Sequence, residues 1–166
     1  MKQLKNTRFL CLSAIVAALY AAVTILTAPL SYGLMQFRLS EALIVLCWFE
    51  PAMGLGLTLG CLLANLFSTV TALDVVVGTL ATALACLWTG RIRSPWLAVL
   101  PNILTNAVIV GAMLALVLFP ETPLMGFGLA FLQVGFGEAV VMYALGLPLL
   151  LFLRRTKLLD RLLENR

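Results

Sequence analysis

The chain has 166 residues, 63% of them hydrophobic and 11% charged, with a mean hydropathy of +1.09 and a formal charge of +4. A soluble domain carries about 45–50% apolar and about 25% charged residues, so a water-soluble fold is excluded and nothing points to a nucleic-acid partner. The period-2 alternation of outer-membrane barrels is absent, which leaves helices as the spanning structure and predicts an all-α integral membrane bundle.

At about 20 residues per span, apolar stretches near residues 9 to 28, 36 to 50, 52 to 70, 73 to 90, 96 to 119 and 129 to 153 predict six transmembrane helices. The connections are tight and marked by Pro or polar residues, as in "TAPLSYG", "FSTVTALD", "TGRIRSP" and "FPETPLMG". A single domain over residues 1–166 follows, with no room for a soluble one.

The basic start "MKQLKNTRF" precedes a long apolar run without a small-residue cleavage site, which predicts a retained first span. In that span Ala14, Ala18 and Ala22 recur every four residues, leaving a smooth strip where another helix can pack, either inside the bundle or on a partner. A second small strip, Gly56, Gly60 and Ala64, runs along the third span.

Ionisable groups inside a span are costly and are by default candidates for function. Arg38 and Glu41 open the second span at i, i+3, where they can pair on one face, and Glu41 can either bind a ligand or serve that pair. Glu50, before Pro51, reads as interfacial. Asn65 ends the third span, and Asp74 follows Thr71 at a capping-box-like spacing, so Asp74 is either a cap or a ligand contact. Asn102 and Asn106 share a face of the fifth span at i, i+4 and can glue helices or contact a ligand. Glu138 sits near the middle of the sixth span with no local cation, after Gly135 and Gly137, which admit a close approach by a helix or a flat ligand.

Lys2, Lys5 and Arg8 precede the first span, Arg91 and Arg93 separate the fourth from the fifth, and Arg154, Arg155, Lys157, Arg161 and Arg166 follow the sixth. Six spans put these groups on one side, so both termini are expected in the cytoplasm, with Arg38 facing outward. Away from the basic tails, Arg38 stands against Glu41, Asp74, Glu121 and Glu138, so the outer half favours a cationic or donor-rich solute over an anion. Cys11, Cys47, Cys61 and Cys86 have no CxxC spacing and the chain has no histidine, which predicts packing thiols and no metal site. Trp48, Trp88 and Trp96 read as an interfacial belt, whereas Tyr20, Tyr32, Phe37, Phe67 and Tyr143 are better placed to cover a ligand. No phosphate-binding loop or catalytic constellation is present, so neither ATP hydrolysis nor other enzymatic chemistry is expected of this chain, and no cofactor is implied.

The runs "QFRLSEALIVL", "GCLLANLFS" and "ALDVVVGTLATALA", at this spacing in a chain of this length, resemble the QueT family of queuosine-precursor transporters. The resemblance covers nearly the whole chain. It implies a substrate-binding S component of an energy-coupling factor (ECF) transporter in a prokaryotic plasma membrane, partnered by a transmembrane coupling protein and two ATPase subunits. The implied ligand is a 7-deazaguanine: the 7-cyano or 7-aminomethyl compound, or queuine. In such a site a carboxylate would take the paired N–H donors of the ring, asparagine the carbonyl side, and a second carboxylate the aminomethyl cation. The substrate-binding set is then Arg38, Glu41, Asn65, Asp74, Asn102, Asn106 and Glu138, and the docking strip Ala14, Ala18 and Ala22. The competing readings are an S component for another vitamin and a small membrane scaffold.

Overall fold

A computed structural model describes residues 7–32, 35–157 and 159. Lys2, Lys5, Arg161 and Arg166 of the orientation argument lie outside the described residues. Among those described, every regular element is helical. Three stretches are long and apolar enough to cross a membrane: Thr7–Leu26, Leu100–Leu118 and Pro123–Thr156. Three shorter apolar helices, Leu39–Trp48, Pro51–Asn65 and Asp74–Thr89, occupy the remaining places where spans were expected.

Helix α1 (Thr7–Leu26) is followed by the single turn α2 (Ala28–Ser31). The second apolar run forms a ten-residue 3₁₀ helix, Leu39–Trp48, in place of a longer α-helical span. Its winding of about three residues per turn stacks every third side chain. Arg38, Glu41, Ile44 and Cys47 therefore share one face, and all four are buried. This helix is the axis of the bundle, packing on α1, α3 (Gly54–Asn65), α4 (Asp74–Thr89), α7 (Pro123–Val141) and α8 (Leu147–Thr156). Helix α3 stops at Asn65, five residues before the expected end, because Leu66 through Leu73 form a loop in which Ser68 and Thr71 accept from the backbone N–H groups of Val70 and Leu73.

The last two stretches are each interrupted by a π-turn. Between α5 (Leu100–Thr105) and α6 (Gly111–Leu118), residues Asn106–Val110 widen the helix so that the Gly111 N–H reaches the Asn106 carbonyl. The cause is local: Thr105 Oγ1 and Asn106 Nδ2 donate to the carbonyls of Pro101 and Asn102, competing for the normal ladder. Between α7 and α8 the π-turn is Met142–Gly146. There Pro148, which has no N–H for the carbonyl four residues back, sets the break. Helix α7 begins at Pro123, six residues before the expected start, with the proline in the first turn where its missing N–H is harmless. The 34-residue stretch rises about 50 Å, beyond a hydrocarbon core of about 30 Å. Its excess carries Arg154 and Arg155 in the last turn, with Arg154 lying over the Trp48 ring.

Burial is inverted relative to a soluble protein. Leu19, Leu59, Leu80, Leu116, Leu124 and Leu132 are exposed, whereas Arg38, Glu41, Asp74, Glu138 and several amides and hydroxyls are buried. Apolar clusters pack around this polar centre, one of them built on Tyr20, Ile44, Met53 and Leu57 and another on Val110, Leu114, Ala130 and Val134.

The α1–α3 contact explains the second small strip. A Cβ on Gly56 would lie 2.5 Å from the Ser13 carbonyl oxygen, and one on Gly60 would lie 2.6 Å from that of Ala17, so both glycines are filled by the α1 backbone. Gly60→Leu is expected to force these helices apart and destabilise the purified protein by about 1–3 kcal/mol. Thermal unfolding in detergent, followed by tryptophan fluorescence, checks this, with an unshifted midpoint counting against the contact.

Candidate functional site

The centre of the bundle is a chain of polar side chains running from α4 to α7. Glu41 Oε1 accepts from the Tyr20 hydroxyl at 2.5 Å and from Thr82 Oγ1 at 3.3 Å, and lies 3.7 Å from Arg38 Nη1. Thr82 Oγ1 is also 3.2 Å from Cys61 Sγ, which receives Asn65 Nδ2 at 3.3 Å. The same Asn65 amide donates to the Asp74 carbonyl at 2.9 Å, and Ser68 Oγ donates to Asp74 Oδ2. On the other side, Asn106 Nδ2 donates to Asn102 Oδ1 at 2.9 Å and Asn102 Nδ2 donates to Glu138 Oε2 at 2.8 Å. Asn102 also lies beside Glu41, and the field of Arg38 reaches both Glu41 and Glu138.

All seven sequence-predicted site residues thus belong to one connected cluster, each at most 1% exposed. The expected Arg38–Glu41 pair forms, and the arginine is buried with it: its guanidinium lies under the Tyr32 ring, 5.6 Å from the centroid, and the Tyr32 hydroxyl is anchored on the Ala64 carbonyl. Asp74 forms no capping box, because α4 has no side-chain cap and Thr71 accepts from Leu73 N–H instead. Asn102 is committed at both ends of its amide, so the asparagine pair holds Glu138 in place.

The aromatic expectations divide. Tyr20 and Tyr32 line the cluster, whereas Phe67 and Tyr143 are 62% and 43% exposed and point away from it. Gly137 is met by the Gln36 backbone carbonyl, so its missing side chain admits the segment before the 3₁₀ helix. Cys61, expected as simple packing, is a polar link in the cluster. Thr82 was missed, although it stands on the same face as Asp74 and Gly78 at intervals of four, as Cys61 does with Asn65.

Six buried polar atoms around this cluster have no hydrogen-bond partner: Gln36 Nε2, Arg38 Nε and Nη2, Glu41 Oε2, Asn65 Oδ1 and Asp74 Oδ1. Each unpaired buried group costs about 1–3 kcal/mol. Donors and acceptors side by side in such a cluster are suited to a small polar ligand that supplies both. The side chains of Ala14, Ala18 and Ala22 lie elsewhere, on the exposed face of α1, while Ala17 and Ala21 occupy its buried face.

The family model described as QueT transporter matches residues 10–155. The chain belongs to the QueT transporter family. That match spans the axial 3₁₀ helix, both π-turns and every residue of the polar cluster. One curated relative, named "Queuosine precursor transporter QueT", from Lactococcus lactis subsp. cremoris (strain MG1363), is 42% identical over 71 residues, 42% of this chain. The matched segment spans about two fifths of that relative's length, 41%. No solved structure is significantly similar to the chain.

Tyr20→Phe removes a charge-assisted donor from Glu41 without changing volume, and is expected to cost about 1.5–3 kcal/mol of stability. Tyr143→Phe, on the exposed face, is the control and should leave the unfolding midpoint unchanged. Equal midpoints for the two variants in detergent would show that Tyr20 carries no such load.

Proposed function

We propose that this chain is the substrate-capture subunit, or S component, of an ECF-type importer, taking a queuosine precursor of the 7-deazaguanine class from the outer side of a prokaryotic plasma membrane. The observation that carries the reading is the set of unpaired buried donors and acceptors at the bundle centre. A guanine-type ring presents a carbonyl acceptor next to two N–H donors. Arg38 Nε and Nη2 are donors for the carbonyl, Glu41 Oε2 is an acceptor for the N–H groups, and Tyr20 and Tyr32 offer aromatic surface. The relative from Lactococcus lactis, named for queuosine precursors, supports the same ligand class. A pure scaffold would have no use for this set, and an anionic vitamin would meet three buried carboxylates against one cation among the described residues.

The importer architecture rests on six spans with both termini in the cytoplasm. The short second stretch contributes a ten-residue 3₁₀ helix that rises about 20 Å, preceded by irregular residues 36–38. In this arrangement Ala14, Ala18 and Ala22 dock a transmembrane coupling protein, which works with two ATPase subunits. Their exposure supports this use, since the inner face of α1 is already filled by α3.

Two experiments test the reading. Glu41→Gln replaces an acceptor with a mixed donor and acceptor, and calorimetric titration with 7-deazaguanines should show affinity lower by about ten- to a hundredfold. Parental binding would remove Glu41 from the ligand contacts. Ala14→Trp with Ala18→Trp should leave titrated affinity near parental while abolishing co-purification with the coupling protein and uptake in cells. Unchanged uptake would rule out the strip as the docking surface.

A further inference from the structure

Helix α4 ends at Thr89, and the connection to α5 carries Arg91 and Arg93, both exposed. This connection is held in place. Thr89 Oγ1 donates to the Ala98 carbonyl at 3.3 Å, and Ile92, between the two arginines, packs against the apolar cluster of Val45, Ala98 and Val99. Arg91 Nη1 donates to the Leu87 carbonyl at 2.7 Å, which fixes the guanidinium at the end of α4 while its other N–H donors stay available. Beside Trp88, in the last turn of α4, lies a groove of about 360 Å³ lined by Trp88, Leu104, Thr105, Val108 and Ile109. Thr105 turns its hydroxyl to the carbonyls of Pro101 and Asn102, so hydrocarbon and indole form the walls. Leu104 and Val108 lie about 6 and 12 Å along the helix from Leu100, the depth of the acyl carbons nearest a headgroup. Trp88 and Trp96, both exposed, stand at the interfacial end of this groove, as membrane tryptophans do.

We infer that the α4–α5 hairpin is a binding site for an anionic phospholipid, with the phosphate on Arg91 and Arg93 and one acyl chain in the groove. The inference is independent of the ligand assigned to the central cluster. A phosphodiester offers anionic oxygens that guanidinium groups take in paired hydrogen bonds, and a negatively charged headgroup adds long-range attraction that a zwitterionic one lacks. The neighbouring groove between α3 and α4 is less suited, because it ends at Pro51 next to Glu50, a carboxylate that repels a phosphate. A partner helix is the poorer occupant, since close helix packing needs small residues and this groove is walled by Trp88, Leu104, Val108 and Ile109. The site also touches the centre of the bundle. Val108 and Ile109 belong to the π-turn Asn106–Val110, and Asn106 in that turn holds Asn102, which in turn holds Glu138. A bound acyl chain therefore braces the outer side of the turn that positions Glu138.

The test reads bound lipid by native mass spectrometry on the full-length protein, in micelles holding equal amounts of phosphatidylglycerol and phosphatidylcholine with the same acyl chains. The parent is expected to carry phosphatidylglycerol with a preference of at least about fivefold, and Arg91→Gln with Arg93→Gln to bring it within about twofold of equality. Arg93→Gln alone leaves the Leu87 bond intact and should still lower the preference, so the result does not hang on the end of α4. Arg155→Gln with Lys157→Gln removes the same charge from the end of α8 and should leave the preference unchanged. Val108→Trp, which fills the groove, should reduce the amount of phosphatidylglycerol bound. No preference in the parent overturns the site. Equal losses from the two double variants also overturn it, because they would reduce the effect to net charge. Unchanged lipid occupancy in Val108→Trp overturns the groove, and a dimer of the parent that forms as lipid is lost assigns the groove to a second copy and overturns the lipid.

Discussion

A carboxylate on the axis of a membrane bundle is a demand that the surrounding helices must meet. Glu41 is fully buried, and one of its oxygens receives Tyr20 from α1, Thr82 from α4 and the charge of Arg38 from its own segment. Removing an ion from water costs several kcal/mol even after relaxation, so a helix arrangement that failed to bring those donors together would be penalised. The convergence of α1 and α4 on the 3₁₀ helix, and the close α1–α3 seam that sets the depth of Tyr20, are consistent with that demand. Apolar packing adds density around it but does little to choose the arrangement, because lipid is as good a solvent for leucine as another helix.

Much of this was legible in the residues, and the illegible part has physical causes. Apolar run length identified the six helical stretches, and the rarity of ionisable groups in such runs identified Arg38, Glu41, Asp74 and Glu138 as one class. Spacing alone could not show that the second run would wind as a 3₁₀ helix, because long runs of that winding are uncommon and an apolar run does not distinguish it from an α-helix. Nor could it show how completely Arg38 is buried. A cation at the end of a run normally snorkels to the interface, and here the Tyr32 ring and Glu41 hold it within the bundle. Thr82 and Cys61 were hidden by their ordinariness: hydroxyls and thiols are common in membrane helices, and only their partners across the bundle distinguish them.

The two small-residue strips show the limit of pattern reading most clearly. Gly56–Gly60 and Ala14–Ala18–Ala22 have the same spacing, yet one is pressed against a backbone inside the bundle and the other lies on its outside. The difference is set by the remaining residues of α1. Ser13, Val16, Ala17 and Tyr20 turn one face inward, and Ala14 and Ala18 are carried to the opposite side.

That outward strip is flanked by Leu10, Ile15, Leu19 and Ile25, all exposed, so it forms a shallow trough between longer side chains. In a bilayer such a trough is occupied by acyl chains, which lose freedom by conforming to its walls. A helix that fits the trough returns those chains to the bulk lipid, and the entropy regained drives association between two surfaces that lipid otherwise solvates equally well.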